Sequence, residues 1–248
     1  MGDDGKPTVR AVERALDLLL CFTVRNEWAM TELADKVGLH KSTVHRMLAT
    51  LEDKGFVTRD ELSDRYRLGL RIWELSANMS GADDPAVLGL PEMEKLRDLL
   101  GETVSLYIRD NSERIRIQAV QSNQAVRRVA PIGVRLPLYV GASSKVLIAF
   151  DEQQKQELLL ADPTWPASID RRLFREQLDE IRSLGYATSI EEREAGAAAV
   201  AAPVFSRSNK LVAALSVSGP ANRLTLEVMR EHVPAIMESA RRLGTMLK

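Results

Sequence analysis

Apolar residues at Val12, Ala15, Leu16, Leu19 and Leu20 recur at the three-to-four-residue spacing of a helix, which predicts one over 9–22. Asn26 and Glu27 break the pattern. A second, short helix is expected over 31–37, with Leu33, Ala34 and Val37 inward and Gly38 suited to a left-handed C-terminal cap. The third, 41–54, gathers Val44, Met47, Leu48 and Leu51 on one face, and Gly55 ends it. Two short strands follow, 56–60 and 65–69, joined by a polar turn at 61–64. Helix, helix, tight turn, helix and hairpin, in that order, spell a winged helix-turn-helix, mostly α with a β-hairpin wing.

Residues 70–80 read as a helix leading into a soft joint, GADDP, at 81–85. Beyond it, helices are predicted at 86–100, 143–150, 152–160, 171–184 and 224–247, and strands at 103–109, 114–120, 198–206 and 211–218. Strands mixed with helices, without a regular βαβ repeat, point to an α+β domain with an antiparallel sheet. The expected organisation is a DNA-binding domain at 1–69, a linker helix and joint at 70–85, and a second domain at 86–248.

Composition changes this picture little. The 248 residues are 45% hydrophobic and 28% charged, ordinary for a folded chain, and allow two domains. No apolar run reaches the roughly 18 residues that span a bilayer, and the acidic, polar start is unlike a secretion signal. A single cysteine, Cys21, excludes an internal disulfide and fits a core thiol in a reducing, cytoplasmic setting. Net charge is −1, and residues 1–70 carry 11 Lys and Arg against 12 Asp and Glu, so global charge does not announce a DNA binder. Its distribution does: 36–50 holds Lys36, Lys41 and Arg46, two histidines and no acid.

If the apolar face of the third helix is inward, Lys41, Ser42, Thr43, His45, Arg46 and Ala49 face out. A recognition helix places its first turns in the major groove, where short Ser and Thr side chains allow close approach and Arg46 can reach a guanine. Lys41 and the wing's Arg59, Arg65 and Arg67 are candidate phosphate ligands. A solvated helix face beside an ordinary hairpin is the alternative.

The second domain offers little catalytic chemistry. It has no phosphate loop, dinucleotide fingerprint or H-E-x-x-H, and three histidines with one cysteine cannot build a zinc cluster. Ser143, Ser144 and Lys145 lack the S-x-x-K spacing of a serine–lysine nucleophile, and Ser143 suits a helix cap instead. Glu191 and Glu192 are adjacent and must diverge. No catalytic residue, metal or cofactor is expected. Small apolar residues at 195–204 stand out, as does Ser216-Val-Ser218, whose two hydroxyls share a strand face. They either bind a ligand or satisfy neighbouring backbone. Arg127 and Arg128 lie in a stretch without acids between Glu113 and Asp151, which would suit an anionic ligand or form a solvated loop.

The stretch ELADKVGLHKSTVHRMLATLEDKGFV at 32–57 closely resembles the helix-turn-helix of the IclR family of bacterial regulators. The resemblance continues through LRDLLGETVSLYIRD, RLPLYVGASSKVLIAF, IRSLGYATSIEEREAGAAAVAAPVF and LVAALSVSGPANRLT, in order and over nearly the whole chain. It implies a GAF/PAS-like effector domain with a pocket at Arg128, Leu136, Ala142, Ser143, Ser189, Ala197, Ala199, Ser216 and Ser218. Where relatives show S-G-A-G-K this chain has Gly141-Ala142-Ser143-Ser144-Lys145. Ser189 or Ile190 replaces an acidic residue and Ala199 a frequent cysteine, so the ligand's identity does not carry over. The expected function is a transcriptional regulator, a repressor by preference, without catalytic activity. Its expected partners are palindromic double-stranded DNA, an anionic organic-acid or aromatic effector and further copies of itself, with no membrane. An enzyme that merely assembles through its N-terminal domain, or an architectural DNA-binding protein, are the rival readings.

Overall fold

The computed structural model describes residues 8–79, 83–127 and 131–248. The chain forms two compact units, Met1–Gly81 and Ala82–Lys248.

In the first unit, α1 (Arg10–Cys21), α2 (Met30–Val37) and α3 (Lys41–Asp53) bury Leu18, Leu33, Val44 and Leu48 together; the spacing foretells this for α2 and α3, whereas α1 turns Leu18 and Cys21 inward and leaves Val12, Leu16 and Leu20 exposed. Gly38 ends α2 at φ +66°, a left-handed position that costs glycine nothing. The wing strands β2 (Val57–Asp60) and β3 (Arg65–Leu68) are joined by β1 (Glu27–Ala29) in an antiparallel sheet of order β1-β3-β2. Sequence reasoning took Asn26 and Glu27 for a simple break. A three-residue strand is too short to show alternation, and β1 exists because Trp28, opposite Tyr66, anchors it in the core. Gly69 follows the wing, where an added Cβ would lie 2.2 Å from the Gly55 carbonyl oxygen, so only glycine fits. Helix α4 (Leu70–Met79) completes the unit. Of the predicted joint, residues 81 and 82 lie outside the described residues.

The second unit opens with α5 (Pro85–Leu88) and α6 (Leu90–Leu100), not the single helix expected at 86–100. Pro91 lacks the N–H that would bond back to residue 87, and its ring crowds that carbonyl, so the helix breaks at Gly89. Then follow β4 (Thr103–Asp110), β5 (Glu113–Val120), β6 (Arg135–Pro137), α7 (Ala142–Ala149), α8 (Gln153–Ala161) and α9 (Arg171–Leu184). The chain continues through β7 (Ala187–Ile190), β8 (Ala197–Phe205), β9 (Leu211–Pro220) and α10 (Leu226–Thr245). The six strands form one antiparallel sheet in the order β6-β5-β4-β9-β8-β7. β6 and β7 were not foreseen, since three and four residues carry too little periodicity.

Strand alternation gives this sheet two different faces. One packs Val104, Leu106, Val200, Leu215 and Val217 against Leu96 of α6 and Ile236 and Leu243 of α10. The other turns Tyr107, Ala201 and Ala214 toward Val146 and Ile148 of α7 and Phe174 and Leu178 of α9. Small residues on this second face let α7 lie close, with all eight of its residues buried. Ser216 and Ser218 fall on this face by the same alternation, which is what makes it a candidate for chemistry.

Candidate functional site

The first unit presents α3. Lys41, Ser42, His45, Arg46 and Ala49 are exposed along it, whereas Thr43 is half-buried. His40 precedes the helix as its N-cap, with the Ser42 N–H donating to His40 Nδ1 at 3.3 Å. The side chains of Lys41, His45 and Arg46 make no ion pair or hydrogen bond among the described residues, so their donors are available. The wing cations differ. Arg59 is hydrogen-bonded to Asp64, Arg65 donates to Glu32 at 3.3 Å and Arg67 to Glu27 at 2.8 Å. The three are candidate phosphate ligands by sequence, but each is matched by an acid, Arg59 within its own hairpin and Arg65 and Arg67 across 33 and 40 residues. Glu32 also receives the Ala29 backbone N–H, which with Arg25 and Arg65 nearby holds its carboxyl below the usual carboxylate range.

In the second unit, Ala142, Ser143, Ser189, Ala197, Ala199, Ser216 and Ser218 line a single small cavity of about 50 Å³ beneath α7. Leu136 does not line it: paired opposite Arg114 on β6, it packs into the α7 core cluster. Arg128 lies outside the described residues. Arg127 is exposed and donates to Gln121 and Gln124 in its own loop. Ser143 is not the cap expected of it. That place is taken by Gly141, at φ +94°, which has no side chain with which to cap the helix. Of the suspected nucleophile, Ser144 donates to the Pro137 carbonyl and Lys145 pairs with Glu192.

The structure adds residues that sequence reasoning passed over. Tyr107, Arg114 and Glu192 line the same cavity. Arg114, 3% exposed, donates to the carbonyl oxygens of Pro137 and Val140 at 2.6 and 2.8 Å. Arg116, 2% exposed, stands behind Tyr107, with its Nε donating to the phenolic oxygen at 3.0 Å and its Nη2 converging on the same atom. Both guanidinium groups lie near the Tyr107 ring, at 5.5 and 5.0 Å from its centroid. Buried without a hydrogen-bond partner are Ser105 Oγ, Ser218 Oγ and Arg116 Nη1. Orphaned buried polar atoms are rare and costly, so such a group on one sheet face asks for a reason. The signal in the sequence was Arg-Ile-Arg-Ile at 114–117: two cations two residues apart on one strand face, inside the acid-free stretch.

A winged helix-turn-helix with free cations on its third helix, followed by a sheet domain enclosing a polar cavity, defines a DNA-binding transcriptional regulator with a ligand domain. The comparisons agree. Residues 11–61 match the IclR helix-turn-helix domain, and residues 87–245 match the family described as bacterial transcriptional regulator IclR C-terminal. The chain belongs to the IclR family, whose members are transcriptional regulators and not enzymes. It is 30% identical over 250 residues to the HTH-type transcriptional regulator KdgR of Escherichia coli, covering 99% of this chain and 95% of that one. The transcriptional repressor IclR of the same organism is 30% identical, over 94% of this chain and 88% of its own. Among solved structures, an IclR-type regulator from Alicyclobacillus acidocaldarius matches with a TM-score of 0.80 and 29% identity, covering 98% of this chain and all of that one. An IclR homolog from Microbacterium hydrocarbonoxydans complexed with 4-hydroxybenzoate matches at 0.78 and 26% identity, over 94% of this chain and 99% of that one. No helix among the described residues is long and apolar enough to cross a membrane.

Proposed function

We propose that the chain is a cytoplasmic repressor that binds a palindromic operator as a homodimer or homotetramer and is controlled by a small organic acid held in the cavity under α7. The observation that carries the ligand's charge is the pair of buried arginines, Arg114 in the cavity wall and Arg116 behind Tyr107. Tyr107 oxygen accepts from Arg116, which leaves the phenolic hydrogen free to donate elsewhere. A carboxylate in the cavity would meet the Tyr107 hydroxyl and Ser218 Oγ as donors, beside the Glu192 and Glu194 carboxylates that also line it. A relative complexed with 4-hydroxybenzoate supports the same class of ligand.

On the DNA side, the reading set is Lys41, Ser42, Thr43, His45 and Arg46, with the paired wing arginines in a lesser role. Self-association is supported by an exposed apolar stripe on α1 and its N-cap, Val9, Val12, Leu16 and Leu20, at helical spacing. A second copy covering it would double the contact with a two-fold site. The test is a mobility-shift titration of the full chain on its upstream DNA, with a panel of carboxylic acids and their amides. Release by an acid and not by its amide is expected. Release by neither, or by both alike, would overturn the ligand's class.

A further inference from the structure

The cavity is already closed by a carboxylate belonging to the protein. Glu192 sits in the β7–β8 turn and reaches across to α7, where its Oε2 accepts the Gly141 N–H at 2.9 Å and its Oε1 pairs with Lys145 Nζ. Lys145 is 7% exposed, so this is a largely desolvated cation with one partner. The N-cap of α7, Gly141, has no side chain of its own to cap the helix, and the positive end of a helix dipole attracts negative charge. Glu192 therefore occupies the place in the cavity wall where an anion is best stabilised. A second observation points to a ligand beside it: Ser218 Oγ, on a residue 8% exposed, lines the same cavity without a hydrogen-bond partner.

Size makes the arrangement a tight one. About 50 Å³ is room for a carboxyl group and little more, whereas a benzene-sized guest takes a cavity of roughly 150 Å³. Enlargement needs a wall that moves. Every residue of 191–196 is exposed, and Glu191 and Gly196, at its two ends, have φ of +56° and +73°. The turn itself is braced by the Gly196 N–H on Glu191 Oε1 at 2.7 Å, a bond that would travel with it as one body. Glu192 ties it to α7.

We infer that the Glu192 carboxylate is a built-in stand-in for the effector's carboxylate, and that the effector acts by taking its place on Gly141 N–H and Lys145. This rests on the reading of the cavity as the effector site. The exchange is electrostatically even, because one carboxylate replaces another at the same donors while Glu192 returns to water. Net affinity then comes from the rest of the ligand filling the space that the displaced turn vacates, and from partners gained by groups such as Ser218 Oγ.

The test is chemical rescue in the full-length protein with acetate as probe. Glu192→Ala removes the internal carboxylate, so sodium acetate should raise its melting midpoint in a saturable manner, while sodium chloride at matched ionic strength does not. Wild type should need at least tenfold more acetate for the same shift, because its own carboxylate competes. Glu192→Gln, which keeps the length of the side chain, guards against a variant that fails to fold and should respond in the same order. Equal responses to acetate and chloride, or a wild type as responsive as both variants, would overturn the inference. Ser218→Leu, which fills the cavity, separates the two readings. If that variant still answers an organic-acid effector in the DNA-release assay, the cavity assignment fails. If it is silenced and acetate rescue is nevertheless missing, only the displacement is wrong.

Discussion

Arg67 lies against Glu27, its Nε and Nη2 donating to one carboxylate oxygen at 3.1 and 2.8 Å, so a cation on the middle strand of the wing sheet is already paired before DNA arrives. An exposed pair of this kind adds little stability, about 0–1 kcal/mol, but it cancels charge that a phosphate would otherwise see. Arg67→Ala should therefore change the slope of log affinity against log salt by well under about one unit. Glu27→Gln, which frees the arginine, should steepen that slope and tighten non-specific DNA binding. Fluorescence anisotropy over a salt series checks both. A full unit lost in Arg67→Ala would restore the wing to the phosphate-binding set.

The third helix should behave differently from the wing. Arg46→Ala is expected to cost roughly 1–3 kcal/mol on the operator and to relax the choice of one base pair. Lys41→Ala should weaken operator and scrambled DNA alike and reduce the salt slope by about one unit. Mobility shifts with single-base operator variants distinguish the two effects.

Replacing both Ser216 and Ser218 by alanine should leave folding and DNA binding intact, since Ser218 Oγ makes no hydrogen bond to lose. Effector affinity should fall roughly tenfold or more, a hydrogen bond to a charged group being worth about 1.5–3 kcal/mol. Titration calorimetry with the best acid of the panel decides. Wild-type affinity would mean that these hydroxyls have no part in recognition.

Arg116→Met removes a buried cation that makes no ion pair among the described residues and substitutes an apolar side chain of comparable length. The stability of the second unit should change by no more than about 1 kcal/mol in urea unfolding, because the desolvation penalty disappears along with the bond to Tyr107. Effector binding should weaken severalfold, since the phenol loses its anchor. The reverse pattern, a large loss of stability with binding retained, would make Arg116 a purely structural residue.

Acid should attack the second unit through Glu92. Burial raises its pKa, but hydrogen bonds from Arg242 at 2.8 Å and Lys95 at 3.3 Å outweigh that and hold the carboxyl below its usual range. A carboxyl with a depressed folded pKa contributes stability that is present above the unfolded value, about 4.3, and lost as pH falls through the folded one. Glu92→Gln should thus be less stable than wild type at neutral pH, with the gap narrowing below about pH 4. Parallel stability curves across that range would count against the assignment.

Much of this was legible in the chain itself. Periodicity gives the bounds of α1, α2 and α3 to within a residue or two and places Leu33, Val44 and Leu48 inward, because a 3.6-residue repeat over a dozen positions is a strong signal. Ser216 and Ser218 were placed on one face by strand alternation alone. What escaped notice was pairing across distance. Nothing local in the sequence announces that Arg65 meets Glu32 or that Glu192 reaches Gly141, contacts made over 33 and 51 residues. The buried arginines were hidden by the presumption that such residues face water. Short strands such as β1 and β7 owe their existence to partners and carry no pattern of their own.

That each unit keeps a core of its own has an evolutionary corollary. Among the described residues, the apolar cluster of the first draws only on the span from Leu18 to Tyr66, so substitutions on the exposed face of α3 need not disturb the packing beneath the cavity under α7. A crossover near residue 81 would exchange reading heads between paralogues at little cost to the folding of either half. Such hybrids would answer an old metabolite at a new operator. Gene duplication followed by recombination at this point offers a short route by which one sensor comes to govern an unrelated set of genes.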